Sequence, residues 1–158
     1  SSAAQDTSDV RRSQSWTDRS VPGSPLEGRV TIVTGSSRGI GAAIASRMAR
    51  AGSAVVVNSS SSPEAGSEVA AGLPNAVYVR ADVGDRDEVA GLIARAKNEF
   101  GRIDAVVNCA GWSRVVAFED LDGADDLLWD RCLQTHVLGV WNVTTAAAGN
   151  VHALATWR

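Results

Sequence analysis

Val30-Thr31-Ile32-Val33 runs straight into Thr34-Gly35-Ser36-Ser37-Arg38-Gly39-Ile40-Gly41, and this junction decides how the rest of the chain is read. A short run rich in β-branched residues is a strand, and the glycines after it mark a tight turn. Ile40, Ile44 and Met48 then recur at helical spacing up to Ala51-Gly52, where a glycine ends the helix. Glycines between a strand and a helix have a specific physical use. They let the backbone turn sharply and approach a pyrophosphate with no Cβ in the way. The helix that follows offers unpaired N–H groups and the positive end of its dipole to the anion. Here the spacing is G-x-x-x-G-x-G rather than G-x-G-x-x-G.

Outward from this junction, strands and helices alternate. Ala54-Val55-Val56-Val57-Asn58 reads as a second strand, followed by a weaker helix from about Pro63 to Ala71 with Pro in its first turn. Ala76-Val77-Tyr78-Val79 is a third strand. An amphipathic helix comes next, with Val89, Leu92, Ile93, Ala96 and Phe100 on one face and Asp85, Asp87 and Glu88 at its start. Ile103-Asp104-Ala105-Val106-Val107 is a fourth strand. A last helix begins near Ala124 and is expected to carry Trp129, Leu133, Val137 and Val140 towards a core. The alternation predicts a parallel sheet with right-handed crossovers, and apolar strands without alternation predict helices on both faces. The expected fold is therefore α/β, a Rossmann-type doubly wound parallel sheet of about four strands, truncated and preceded by a disordered tail.

Bulk properties narrow the partners. A formal net charge of -3 argues against a nucleic-acid partner, which would normally leave a basic patch. No apolar run reaches the roughly 20 residues that span a bilayer. Cys109 and Cys132 form neither a CxxC pair nor a disulfide framework, which suits a reducing, cytoplasmic setting. Arg11-Arg12 is not followed by the apolar stretch of an export signal.

Thr34 to Gly41 resembles the TGxxxGIG motif of the classical short-chain dehydrogenases/reductases. Asp82-Val83, after the third strand, is similar to that family's adenine-contacting Asp. Asn108-Cys109-Ala110-Gly111, after the fourth, resembles its NNAG motif with Cys109 in place of the second Asn. The three stand in register across residues 29 to about 148 and match the N-terminal part of the family's fold. The resemblance implies a nicotinamide cofactor and hydride transfer between it and a small carbonyl or alcohol substrate in a full-length version. It also implies that Asn108 stabilises the neighbouring strand while Ala110 and Gly111 lie against the cofactor. Plainer readings stay open for each motif: a bare βα turn, Asp82 as a helix cap or turn residue, and Asn108 to Gly111 as a strand-ending turn. Residues 1–27, rich in Ser, Asp and Arg, are expected to be a disordered tail, 28–148 the NAD(P)-binding domain, and 149–158 an irregular C-terminal tail.

The end of the second strand bears on the choice of dinucleotide. An acid there would bond the ribose hydroxyls of NAD and repel the phosphate of NADP. This chain has Asn58-Ser59-Ser60-Ser61-Ser62 and no acid before Glu64. Neutral donors accept a phosphate, and Arg38 adds a charge-assisted contact; in the family, a basic residue at that position accompanies NADP. The expected cofactor site is Gly35, Ser37, Arg38, Gly39, Ile40, Gly41, Asn58, Ser59, Ser60, Asp82, Val83, Asn108, Ala110 and Gly111. NADP(H) is favoured over NAD(H), and no metal site is expected.

The family's catalytic Ser, Tyr and Lys, the last two spaced Y-x-x-x-K, are not found here. Tyr78 is the single tyrosine and Lys97 the single lysine, and both precede the fourth strand. The family's helical Asn falls at His136, which titrates in a useful range but on an apolar stripe is more often a packed residue. After Ala148 no strand pattern follows, so the expectation is an abnormal end: a truncation, a frameshift or a fragment. The fourth strand would then lose a neighbour, leaving a sheet edge prone to association. The helix near 124–148 resembles one used for subunit contacts, which implies a homo-oligomer by analogy. Three functions remain open: an NADP(H)-dependent oxidoreductase present as its cofactor-binding portion, a non-catalytic dinucleotide-binding module, or a non-functional truncated product.

Overall fold

The structure is a computed structural model that describes residues 23–149. The expected tails at 1–27 and 149–158 therefore lie outside the described residues, apart from 23–27 and Gly149. Residues 24–27 form turns, and the Leu26 N–H donates to the Ala51 carbonyl at 3.0 Å.

Four parallel strands form one sheet: β1 (Val30–Val33), β2 (Ala54–Ser59), β3 (Ala76–Arg80) and β4 (Ala105–Val107). Their order is β3-β2-β1-β4. The chain thus steps outward from β1 to β3, then returns to place β4 on the other side of β1. That reversal opens a crevice beyond the carboxyl ends of β1 and β4, where open α/β sheets hold their ligands.

Every residue of β1 and β2 is buried, and their side chains divide between two layers. Val33, Val55 and Val57 pack with Ala45 and Ala49 of α1 (Gly39–Arg50) and Ala70 of α2 (Pro63–Ala71). Ile32 and Val56 point the other way, towards Val89, Leu92 and Ala96 of α3 (Arg86–Phe100). The same layer takes Val143 and Ala147 of α5 (Gly139–Ala148). Each terminus of α3 is locally coded. Asp85 caps it by accepting the Asp87 and Glu88 N–H groups at 2.8 and 3.0 Å, and Gly101 closes it with φ 76°.

The last helical region departs from expectation. It runs as α4 (Asp126–Leu133), a π-helical turn Gln134–Leu138, and then α5. Trp129, Leu133, Val137 and Val140 do not face a core: they are 57%, 51%, 55% and 39% exposed. The inward face carries Thr135, Gly139, Asn142, Val143 and Ala147 instead. Two causes combine. The π turn inserts a residue and shifts the helical phase, and close approach selects small residues, since a Cβ on Gly139 would stand 2.6 Å from Val83 Cγ2. In α1, Ile44 and Met48 pack against the core beside the buried Ala45 and Ala49, while Ile40 is 76% exposed.

Asp104 ties β4 to β1 from below. Its carboxylate accepts the Val30 N–H at 2.9 Å, Arg29 Nη1 at 2.9 Å, and Arg102 Nε and Nη2 at 2.8 and 2.6 Å. Burial alone would push this carboxyl up, but the two guanidinium groups and the Val30 N–H outweigh it and bring its pKa down to about 2. A carboxyl depressed in the fold stabilises it at pH values above its ordinary value of 3.8, and that stability is lost as pH falls towards 2. Discounted for solvent around the two half-exposed arginines, the contribution is about 1–2 kcal/mol. We expect urea midpoints of Asp104→Asn and wild type to converge between pH 4 and 2; a constant gap would overturn the assignment.

Candidate functional site

At the end of β1 the chain turns on Thr34, whose side chain joins two strands. Thr34 Oγ1 accepts the N–H groups of Cys109 and Ala110 at 3.0 and 3.1 Å, just beyond β4. Gly35 follows with φ 63°, and a Cβ there would meet Ala110 Cα at 2.6 Å. A Cβ on Gly41 would collide with the Gly35 carbonyl oxygen. Gly39, with φ 56°, faces open space. Two of the glycines are thus required by the fold, and the third leaves room beside the backbone. The start of α1 matches that room: no side chain caps it, and its first turn holds no acidic residue. Uncapped N–H groups at a helix start suit an anion.

Asn58 turns out to be a keystone. It is 1% exposed, and its Nδ2 donates to the carbonyls of Val79 and Ala81 at 3.1 and 3.0 Å. Its Oδ1 accepts the Gly35 N–H at 3.3 Å, and its backbone exchanges hydrogen bonds with Ser36. Ser59 is 7% exposed; its hydroxyl lies 2.9 Å from Tyr78 Oη and donates to the Ser62 carbonyl at 3.1 Å. Both residues line the cleft with side chains already engaged within the protein. Ser60 and Ser61 are the more open hydroxyls there, and Arg38 is exposed, with no ion pair among the described residues.

The far wall is held by Asp82. Its Oδ1 accepts the Gly84 N–H at 2.9 Å and its Oδ2 accepts Arg131 Nη2 at 2.8 Å. Burial raises this carboxyl, yet the Gly84 N–H and the Arg131 guanidinium outweigh it and hold its pKa below the ordinary value. The reading of Asp82 as a turn residue is met by Gly84, whereas the helix cap is Asp85. Gln134 Nε2 donates to the Gly84 carbonyl at 2.6 Å, and Asn142 Nδ2 donates to that of Val83 at 3.1 Å. The loop that presents Asp82 and Val83 is therefore pinned from the last helical region.

Asn108 is exposed, and its Nδ2 donates to Thr144 Oγ1 of α5 at 3.3 Å, while Thr34 joins the end of β1 to the segment after β4. His136 is exposed in the π turn, with Nε2 at 2.8 Å from the Trp112 carbonyl and 3.2 Å from its N–H nitrogen. It is tied to the loop after β4 and does not line the cleft.

The cleft gathers Gly35, Ser37, Arg38, Asn58, Ser59, Ser60, Asp82, Val83, Ala110 and Gly111 of the expected site. Gly39, Ile40, Gly41 and Asn108 are not on its wall. Arg131 and Thr135 are, and sequence reading missed both. Arg131 sits four residues before Thr135 on the region predicted as a helix, a spacing that places both on one face. Among the described residues no cluster of His, Cys, Asp and Glu could hold a metal ion, and no helix is long and apolar enough to cross a membrane.

Comparisons with known proteins agree with this fold. A family profile for short chain dehydrogenase matches residues 29–153. A ketoacyl reductase assigned to the granaticin polyketide synthase of Streptomyces violaceoruber is 45% identical over 121 residues, 77% of this chain and 49% of that protein. A short-chain type dehydrogenase/reductase of Picea abies is 39% identical over 136 residues, 80% of this chain and 50% of that one. A crystal structure of a short chain dehydrogenase from Burkholderia cenocepacia in complex with NADP superposes with a TM-score of 0.73 and 35% identity. That match covers 80% of this chain and 52% of the other. The chain spans about half the length of the curated relatives it matches.

Proposed function

Because this chain belongs to the short-chain dehydrogenase family, we propose that its cleft binds a nicotinamide dinucleotide, NADP(H) in preference to NAD(H), for an oxidoreductase acting on a carbonyl or alcohol. The observation that carries this is the turn from Thr34 to Gly41. Gly35 lets the backbone lie against Ala110, and the uncapped start of α1 follows Arg38, which lines the cleft with the acid-free Ser59–Ser62 segment. When bound, the dinucleotide would give a hydride to a carbonyl in its reduced form or take one from an alcohol in its oxidised form. The chain's own residues bind and orient it: the loop amides and α1 take the pyrophosphate, and Arg38 with Ser60 takes the phosphate that distinguishes NADP. Asp82 and Val83 flank the adenine, and Ala110 and Gly111 floor the site. The proton that moves with the hydride is not assigned to Tyr78, whose hydroxyl is bonded to Ser59 beside the sheet. The expected setting is the cytoplasm, and self-association through α4 and α5 is part of the same reading.

Fluorescence titration with NADPH and NADH tests it. The chain is expected to bind NADPH more tightly, and Arg38→Ala to weaken NADPH about tenfold, the loss of one charge-assisted contact, while NADH changes less than about threefold. Equal losses for both would remove the case for NADP, and no binding of either would sink the reading.

A further inference from the structure

Thr135 is the one buried side-chain oxygen without a hydrogen-bond partner among the described residues. It is 5% exposed and sits in the π turn, on the wall of the cleft with Asp82, Val83, Ala110 and Arg131. A threonine in a helix ordinarily satisfies its hydroxyl on a carbonyl three or four residues back. Thr145 of α5 does so, donating to the carbonyls of Trp141 and Asn142 at 2.8 and 3.2 Å. Thr135 does not. Buried polar groups are almost always paired, and π turns concentrate at functional sites, so an orphaned hydroxyl lining a cleft calls for a partner that enters the cleft.

Its surroundings say which part of a ligand that is. Arg131, one turn earlier, occupies Asp82 Oδ2, and Thr135 lines the cleft together with Arg131, Asp82 and Val83, with a neutral hydroxyl free to donate. We infer that Thr135 hydrogen-bonds the adenosine half of the bound dinucleotide and so belongs to the site as an affinity-determining residue. This rests on the dinucleotide reading above.

Calorimetric titration of wild type, Thr135→Val and Thr135→Ser with NADPH and with 2′,5′-ADP, which carries the adenosine half alone, tests the inference. Thr135→Val keeps the shape and removes the hydroxyl. It is expected to weaken both ligands by a similar factor of about five to ten, and Thr135→Ser by less than about twofold. The free Thr135→Val protein is expected to melt no lower than wild type, because a methyl replaces a hydroxyl that has no partner. Unchanged affinity in Thr135→Val overturns the inference while leaving the dinucleotide reading intact. A loss for NADPH without one for 2′,5′-ADP overturns the adenosine assignment, and a melting point lower by more than about 4 °C would show that the hydroxyl holds the protein rather than the ligand. Failure of wild type to bind either ligand overturns both readings.

Discussion

Gly35→Ala is expected to lose about 2–5 kcal/mol of folding stability and with it the ability to bind a dinucleotide. Two costs add. The backbone at Gly35 has φ 63°, a conformation that costs a residue with a Cβ about 1–2 kcal/mol. The new Cβ would also lie 2.6 Å from Ala110 Cα and 2.9 Å from its nitrogen. These are backbone atoms, so relief requires moving β1 or the loop after β4, and such overpacking costs about 1–3 kcal/mol. Moving either would also loosen the bonds from Thr34 Oγ1 to Cys109 and Ala110. Gly39→Ala supplies the contrast. Its φ of 56° carries the conformational cost, but open space surrounds the position. Stability should fall by only about 1–2 kcal/mol, and any larger loss of NADPH affinity would come from the ligand's side. Urea denaturation and NADPH titration of both variants separate the two effects. Gly35→Ala within about 1 kcal/mol of wild type would refute the steric account.

The sheet was legible because its signals are local. Four β-branched runs mark parallel strands, of which β1 and β2 are buried along their whole length, and the glycine turn marks which crevice matters. Motif order puts Asp82, Ala110 and Gly111 in that crevice, and all three are among the residues that line the cleft. What sequence reading missed depends on phase and partnership. The helix after residue 124 reads as one amphipathic element, so its largest apolar residues were assigned to a core. A π turn between Gln134 and Leu138 cannot be seen in periodicity, and it rotates Thr135, Gly139 and Asn142 inward while leaving Trp129 and Val137 in solvent. Asn58 shows the second kind of miss. A polar residue at the end of β2 looks like a free donor until one knows that the carbonyls of Val79 and Ala81, beyond one strand of pairing, are aimed at it.

That placement gives the second large effect, and it tests whether Asn58 builds the site or merely borders it. Asn58→Asp keeps the size and the Oδ1 acceptor for the Gly35 N–H, but replaces the Nδ2 donor with an oxygen facing two carbonyl oxygens. At neutral pH the site would hold a carboxylate that is 1% exposed, by the wild-type residue's burial, facing two carbonyl oxygens that each lose the donor Asn58 gives them. Each unpaired buried acceptor costs about 1–3 kcal/mol, and burying an unpaired charge adds to that. The expected destabilisation is about 4 kcal/mol or more at pH 7. Protonation restores one donor, so the gap to wild type should narrow as the pH falls. The new carboxyl has its pKa raised in the fold, because burial and the facing carbonyls penalise the charged form. Its destabilising effect is therefore smallest below the ordinary carboxylate value and grows as pH rises through the raised one. Asn58→Leu, uncharged, should be destabilised by a similar amount at every pH. If Asn58 only offered a donor to the cofactor's phosphate, both variants would fold as wild type does and lose NADPH affinity alone. Parallel urea titrations between pH 5 and 8 decide between the two: a pH-dependent deficit in Asn58→Asp, absent in Asn58→Leu, makes the amide of Asn58 the clamp that sets the distance between the glycine turn and the Asp82 wall.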